Sequence, residues 1–357
     1  MRVLTPATVF DLPAGAEAVA PPERRGLGRD GGRLLVARPD GLSHHRFRDL
    51  PTVLVPGDLV VLNTSATLAA ALGGTDASGA AVPVHVSTQL DDSTWVVELR
   101  RPDNTGPDLT RTRGEWIGLP AGAWVQLMKP YPDPTAASSR LWRARPSNAP
   151  PLAAYLAMHG RPIEYGYLRS RFTLADHQTV YAGKAGSAEM PSAGRPFTDR
   201  MLVQLITRGV TIAPLVLHTG VSSPELHEPP TPERFAVPPA TADAVNAARA
   251  AGRRVIAVGT TVVRALETVA DADGRVRAAA GWTDLVIGPD RPIRVVTGLL
   301  SGLHPPEATH LVMLETVAGA RLVADAYAAA LERRYLWHEF GDSMLFLGSR
   351  QTTDGQG

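Results

Sequence analysis

A buried strand that runs directly into a helix is the strongest candidate for a binding site in this sequence. The apolar run Val255–Val258 lies between two glycines and predicts a fully buried strand. Gly259, Thr260 and Thr261 then lead into a helix predicted over 261–270. Such a helix start presents N–H groups and the positive end of the helix dipole, which suit a carboxylate, a phosphate or a ribose edge. An ordinary strand–helix unit in which a threonine caps the helix is the alternative interpretation.

The sequence around this segment predicts an α/β domain that is interrupted by a β domain. After residue 151, strands alternate with helices, and the first 57 residues have a similar α/β character. From about 68 to 145, short strands are separated by Gly, Pro and Asp, which indicates a small antiparallel barrel or sandwich. We expect a main domain over 1–66 and 149–348, an insertion over 67–148 and a disordered tail over 349–357.

Two local predictions concern the second half of the main domain. Thr241 is expected to cap a helix that Gly252 ends. Short apolar runs at Leu285–Ile287 and Ile293–Val296 predict two further strands.

Length and composition limit the class of protein. A chain of 357 residues is long enough for two domains, or for one domain with a large insertion. The lack of cysteine excludes thiolate catalysis, disulfides and thiolate metal sites, and it indicates a reducing compartment. The sequence shows neither a signal-peptide pattern nor an apolar run of membrane-spanning length, so we expect a cytoplasmic protein without membrane contact. A net charge of +1 gives no general electrostatic argument for nucleic-acid binding.

Several motifs together resemble one enzyme family. In chain order they are FDLP (10–13), PGDLVVLN (56–63), HQTVYA (177–182), PSAGRPFT (191–198), LHTG (217–220), RVIAVGTT (254–261) and FGDSM (340–344). Their order and spacing are similar to those of the S-adenosylmethionine:tRNA ribosyltransferase-isomerases of queuosine biosynthesis. The resemblance covers nearly the whole chain and is weakest in the β insertion.

This resemblance implies a fold and an activity. The fold is a distorted α/β barrel-like main domain with an inserted small antiparallel β-barrel. In the implied reaction, S-adenosylmethionine donates its ribosyl part to the aminomethyl group of a 7-deazaguanine in the tRNA anticodon. The ribose is isomerised, and adenine and methionine leave. No metal or further cofactor is implied, and we expect a monomer whose partners are S-adenosylmethionine and, if the family's acceptor is retained, tRNA.

The family's reaction needs groups that move protons. The sulfonium makes the neighbouring C5′ protons acidic, so a base is required, and the departing adenine requires a proton donor. At positions matching the family, the catalytic candidates are His218, Glu233, His304 and Asp342. A structural histidine at a strand end is the alternative for His218, and a turn residue is the alternative for Asp342.

The resemblance also implies binding roles. Gly259, Thr260 and Thr261 would form an anion-receptive junction, and Arg264 would clamp the methionine carboxylate with both arms of its guanidinium. The other binding candidates are Pro191, Gly194, Phe197 and Gly220. The backbone of the PSAGRPFT segment would approach the ligand closely, and the aromatic side chain of this segment would stack on adenine. A loop that packs against the core is the alternative interpretation of that segment.

The chain departs from the family's motifs where function is expected. After PSAG it has Arg195-Pro196-Phe197, whereas the family has Leu-His-Phe. After Leu217-His218 the family continues Val-Gly-x-Gly, and this chain has Ser222 in place of the second glycine. These changes leave two alternatives open. One is an enzyme that cleaves S-adenosylmethionine or transfers its ribosyl part to a small molecule, and the other is a non-catalytic S-adenosylmethionine-binding protein.

Overall fold

The computed structural model describes residues 5–147, 151–166, 168, 170–222, 231–306 and 308–348. Within these ranges the strands are β1 (Arg33–Arg38), β2 (Gly41–Arg46), β3 (Leu59–Asn63), β4 (Ser65–Thr67), β5 (Ala71–Thr75), β6 (Ala81–Gln89), β7 (Trp95–Leu99), β8 (Trp116–Gly118), β9 (Trp124–Tyr131), β10 (Leu141–Ser147), β11 (Lys184–Ser187), β12 (Thr211–Leu217), β13 (Glu233–Val237), β14 (Val255–Val258), β15 (Ala279–Thr283), β16 (Gly298–Gly302) and β17 (Ser343–Leu347). The α-helices are α1 (Leu50–Val53), α2 (Leu152–His159), α3 (Asp199–Thr207), α4 (Pro239–Ala250), α5 (Thr260–Thr268), α6 (Thr309–Ala318) and α7 (Ala320–Glu332).

A mixed sheet with the strand order β15-β13-β12-β3-β14-β16-β17-β1-β2 forms the centre of the main domain. Its middle is parallel, because β3 pairs in parallel with β12 and β14, and β14 pairs in parallel with β16. All residues of β3, β14 and β17 are buried. Strands that are covered on both faces favour apolar side chains at nearly every position. This explains the continuous apolar runs seen in the sequence.

Each face of the sheet packs against its own helices, because successive side chains of a strand point to opposite faces. Val61 and Ala257 belong to a core that includes residues of α4, α5, α6 and α7. Val60 and Ile256 belong to a second core that includes residues of α1 and α3. The carboxyl ends of the parallel strands are therefore held between two helix layers.

The insertion is a closed barrel with the strand order β10-β7-β6-β5-β8-β9. Neighbouring strands are antiparallel, and β9 pairs with β10 to close the ring. Leu72, Val84, Val97 and Val125 are among the side chains of its core. The predicted α/β class with an inserted antiparallel β-barrel is confirmed. The domain boundaries at 66/67 and 148/149 stay a prediction, and the tail at 349–357 lies outside the described residues.

The helix cap predicted at Thr241 is wrong. Helix α4 begins earlier, at Pro239, and Thr241 lies inside it. A proline at the first helical position already has the backbone angle that a helix start requires. The Thr241 hydroxyl instead donates to the backbone oxygen of Pro214 on β12, so it joins the helix to the sheet.

The two strands predicted at Leu285–Ile287 and Ile293–Val296 are also wrong. Both segments lie in the connection between β15 and β16. The carboxylate of Glu267 accepts hydrogen bonds from the backbone N–H groups of Arg294, Val295 and Val296, at 3.0, 2.9 and 3.2 Å. A buried side chain thus provides the acceptors that a neighbouring strand would otherwise provide.

Candidate functional site

A cleft of about 270 Å³ lies between the main sheet and the barrel. The loop after β12, the start of α5 and the loop after β16 contribute to it from the main domain, and Arg140 contributes from the barrel side. In α/β sheets, ligands bind beyond the carboxyl ends of the parallel strands. The cleft lies at that edge, since β12, β14 and β16 all end there.

The predicted strand–helix junction forms part of the cleft wall. Helix α5 begins at Thr260, and Gly259, Thr260 and Thr261 all line the cleft. Gly259 has φ 90°, a left-handed backbone angle that glycine adopts without strain. The hydroxyl of Thr261 accepts a 3.3 Å hydrogen bond from Asn63 at the end of β3. The turn therefore directs the N-terminus of α5 toward the cleft, where an anion would meet the positive end of the helix dipole.

The predicted clamp Arg264 and the predicted acid–base residue Glu233 are bonded to each other. Nη1 of Arg264 donates to Oε2 of Glu233. The other arms of the guanidinium donate to the backbone oxygens of Leu285 and Thr283, at 2.9 and 3.2 Å. Burial raises the pKa of Glu233, against the opposing effects of Arg264 and the Gly220 N–H, which lies 2.9 Å from Oε1. An incoming carboxylate would therefore have to share Arg264 with Glu233.

Two stacked imidazoles line the cleft near this ion pair. The rings of His304 and His310 are nearly parallel, at 3°, with centroids 4.6 Å apart. Nε2 of His304 lies 2.8 Å from the hydroxyl of Ser301 at the end of β16. The backbone of His304 is fixed as well, since its N–H donates to Tyr327 at 3.0 Å and its oxygen accepts from Trp337 at 3.1 Å. The ring of His304 is thus held in one orientation.

Both imidazoles are held in the neutral form near neutral pH. Burial lowers the pKa of His304 well below its ordinary value, and the neighbouring His310 and His338 lower it further. Burial, with Arg264 nearby, lowers the pKa of His310 to about 4. A neutral imidazole can accept a proton from a substrate, which an imidazolium cannot do.

Pro191 and Gly220 also line the cleft, whereas two other binding candidates do not. Phe197 is fully buried against Phe47, with ring centroids 5.3 Å apart, on the opposite face of the sheet from α5. A side chain at Gly194 would begin 2.0 Å from the hydroxyl of Tyr181, so packing alone requires glycine there. The structure thus does not bring Phe197 to a position where it could stack on a ligand in the cleft.

His218 and Asp342, two of the catalytic candidates, lie outside the cleft lining as well. Nδ1 of His218 lies 2.7 Å from the hydroxyl of Ser65, and burial lowers the pKa of the ring. The carboxylate of Asp342 accepts from the backbone N–H and Nε of Arg33, at 2.6 and 2.9 Å, and from the Leu336 N–H at 2.9 Å. These bonds join β1 to the loop before β17, so Asp342 stabilises the sheet at this point.

His310 and Glu189 are among the titratable residues of the cleft that sequence reasoning missed. Glu189 stands just before the PSAG motif, within the otherwise uncharged stretch Gly186–Gly194. A carboxylate in such a stretch is a signal that could have been followed, because charged groups are rarely buried without a partner. His310 carries no comparable signal, since a histidine in the first turn of a helix is common on protein surfaces.

Two classes of feature are absent from the described part of the chain. Its residues include no group of three or more His, Asp or Glu side chains placed to hold a metal ion. None of the helices in those ranges combines the length and the apolar composition that crossing a bilayer requires.

Comparisons with known proteins agree on one family. The family model described as "Queuosine biosynthesis protein" matches residues 7–346. The chain is 36% identical over 354 residues to an S-adenosylmethionine:tRNA ribosyltransferase-isomerase from Moorella thermoacetica, covering 95% of this chain and 98% of that protein. A protein of the same name from Symbiobacterium thermophilum is 36% identical over 349 residues, with the same coverage.

A solved structure is similar over the same length. The crystal structure of an S-adenosylmethionine tRNA ribosyltransferase from Thermotoga maritima matches with a TM-score of 0.53 and 27% sequence identity. The match covers 95% of this chain and 99% of that chain, so both the main domain and the barrel are included.

Proposed function

This chain belongs to the family of S-adenosylmethionine:tRNA ribosyltransferase-isomerases, and we propose that it catalyses the reaction for which its relatives are named. It would move the ribosyl part of S-adenosylmethionine to a 7-aminomethyl-7-deazaguanine in tRNA and isomerise it, with release of adenine and methionine. The observation that carries the proposal is the cleft itself. It combines a helix N-terminus for an anion with neutral imidazoles for proton transfer.

The amino-acid end of S-adenosylmethionine is proposed to bind at the start of α5. Its carboxylate would accept hydrogen bonds at the turn formed by Gly259, Thr260 and Thr261. Arg264 lines the cleft one turn further along the helix and adds positive potential there, although its guanidinium also holds Glu233. Pro191 and Gly220 complete this end of the binding site.

His304 is proposed to take the proton from the carbon next to the sulfonium. Its Nε2 lies 2.8 Å from the Ser301 hydroxyl, and in the tautomer whose Nε2–H donates to that hydroxyl, Nδ1 would accept the proton. Glu233 is proposed to act as the second acid–base group, because burial raises its pKa toward the range in which a carboxyl can donate a proton. The catalytic roles of His218 and Asp342 stay predictions without support from contacts in the cleft.

The small-acceptor enzyme and the non-catalytic binding protein, the two alternatives from the sequence, can be distinguished from this proposal by measuring the release of adenine. The relatives' names favour the tRNA reaction over a small-molecule acceptor or mere binding. Adenine release from S-adenosylmethionine should be measured with no RNA, with unmodified tRNA, and with tRNA that carries the deazaguanine. The proposal expects release only in the third mixture. Equal release in all three would favour the small-acceptor enzyme, and binding without release would favour the non-catalytic protein.

A cytoplasmic location and a monomeric state stay predictions.

A further inference from the structure

Glu189, which has no role in the reaction as proposed above, lines the same cleft. Oε1 of Glu189 accepts hydrogen bonds from the hydroxyl of Tyr165 and, at 2.8 Å, from the backbone N–H of Ser222. Oε2 accepts from the Ser222 hydroxyl at 2.7 Å. All three residues line the cleft. They come from separate parts of the chain: the segment after α2, the segment after β11 and the loop after β12.

Within the part of the chain that the structure describes, the network orients the carboxylate and leaves acceptor capacity on it. A carboxylate offers about four acceptor positions, and the bonds above occupy three, two on Oε1 and one on Oε2. Burial raises the pKa of Tyr165 well above its ordinary value, so its hydroxyl remains a donor at neutral pH. Both side-chain partners therefore donate to Glu189, and among the contacts of the described residues the remaining acceptor position belongs to Oε2.

Ser222 contacts Glu189 with both its backbone and its side chain. A glycine at this position would provide the backbone N–H but no hydroxyl. Ser222 thus adds a second bond to the same carboxylate, on the oxygen that has acceptor capacity left. An additional donor of this kind fixes the orientation of the carboxylate.

We propose that Glu189 binds a primary amine of the substrates through Oε2. This inference rests on the proposed function, which supplies two such amines: the α-ammonium group of S-adenosylmethionine and the aminomethyl group of the deazaguanine. A carboxylate oriented by other donors is the natural partner for an ammonium group, since charge-assisted hydrogen bonds are the strong ones. Glu189 is a binding residue in this account, and Tyr165 and Ser222 are positioning residues that act through it.

The test is the isosteric variant Glu189→Gln, compared with wild type and with the control Glu332→Gln at the exposed end of α7. If the α-ammonium is the ligand, the Kd for S-adenosylmethionine alone, measured by calorimetry, should rise about tenfold or more in E189Q. If the aminomethyl group is the ligand, that Kd should stay within about twofold. The KM for deazaguanine-bearing tRNA at saturating S-adenosylmethionine should then rise about tenfold instead.

A folded E189Q protein with wild-type values for both constants would overturn the inference. Thermal melting identifies a purely structural role, in which the melting temperature falls while both constants stay unchanged. If E189Q does not fold, Ser222→Ala replaces it, with an expected rise of about threefold in one of the two constants; no change in either would again overturn the inference. Wild type distinguishes the two levels of the argument. The proposed function fails if wild-type protein does not bind S-adenosylmethionine or does not release adenine with deazaguanine-bearing tRNA, whereas the inference fails if wild type does both and E189Q matches it.

Discussion

Single residues of the cleft differ in how their ionisable groups are held. His304 is fixed by a side-chain hydrogen bond, two backbone hydrogen bonds and a stacked ring. Glu233 is held by Arg264 and by the Gly220 N–H. A substitution can remove the contacts of one group and leave the rest of the cleft in place, so the role of each group can be tested separately.

His304→Ala should abolish turnover with little effect on substrate binding. Loss of a positioned proton acceptor typically slows a reaction by about 10²–10⁴-fold. We expect this loss in adenine release, together with a Kd for S-adenosylmethionine within about twofold of wild type, because the turn proposed to bind the carboxylate lies on a different element. His45→Ala, on β2 and outside the cleft, is the control. Normal turnover in the His304 variant would show that the ring only supports the loop.

Arg264→Ala should destabilise the fold as well as weaken binding. Arg264 is 3% exposed, and its guanidinium is paired with the carboxylate of Glu233. Removal of one partner of a buried ion pair typically costs about 3–5 kcal/mol. Adding Glu233→Gln should recover part of that loss in the free energy of unfolding, as measured by urea denaturation. If the two substitutions are strictly additive, the pair is not coupled in the way the contact indicates.

Stability should fall in acid partly because of His310. Burial lowers its pKa to about 4, from an ordinary value of 6.5. The unfolded chain therefore binds a proton that the folded chain does not bind between these values, and stability is lost as pH falls from 6.5 toward 4. His310→Leu should flatten the dependence of the unfolding free energy on pH by up to about 1.4 kcal/mol per pH unit in this window. An unchanged slope would mean that His310 titrates normally in the folded protein.

At the scale of elements, the strand–helix junction could be predicted from sequence because its pattern is local. Val255–Val258 and the Gly-Thr-Thr turn specify a buried strand and a helix start within one short segment. The segment at 293–296 looked equally strand-like, but its backbone is bound by Glu267 from a different element. Apolar runs indicate burial, and they do not show whether a strand or a side chain provides the hydrogen-bond partners.

The buried pair of Asp58 and Arg254 should be important for joining β3 to β14. Asp58 is fully buried, and its Oδ1 accepts from Nε of Arg254 at 3.0 Å while Oδ2 accepts from Nη2 at 2.5 Å. Arg254→Met should lower the free energy of unfolding by about 3–5 kcal/mol, since it removes the cation that is bonded to a buried carboxylate. Arg321→Met is the control, because the Arg321 side chain is 97% exposed and should change stability by less than about 1 kcal/mol. Equal effects of the two variants would contradict this account.

At the scale of the whole molecule, the cleft depends on contacts that no local pattern reveals. Glu189, Tyr165 and Ser222 are far apart in sequence and meet only where the barrel joins the main sheet. Phe197 belongs to a motif that resembles the family's, yet its ring faces the core on the other side of the sheet. Sequence therefore predicts the family, the fold and the helix start in the cleft. The directions of side chains from separate segments follow only from tertiary packing.

The most direct test follows the ribose carbon atoms from one substrate to the other. The protein should be incubated with S-adenosylmethionine labelled with ¹³C in its ribose and with tRNA that carries 7-aminomethyl-7-deazaguanine, and the digested nucleosides should be analysed by mass spectrometry. We predict that the label appears on the deazaguanine nucleoside, in step with the release of unlabelled adenine. Label that stays in the small-molecule fraction while adenine is released would contradict the account.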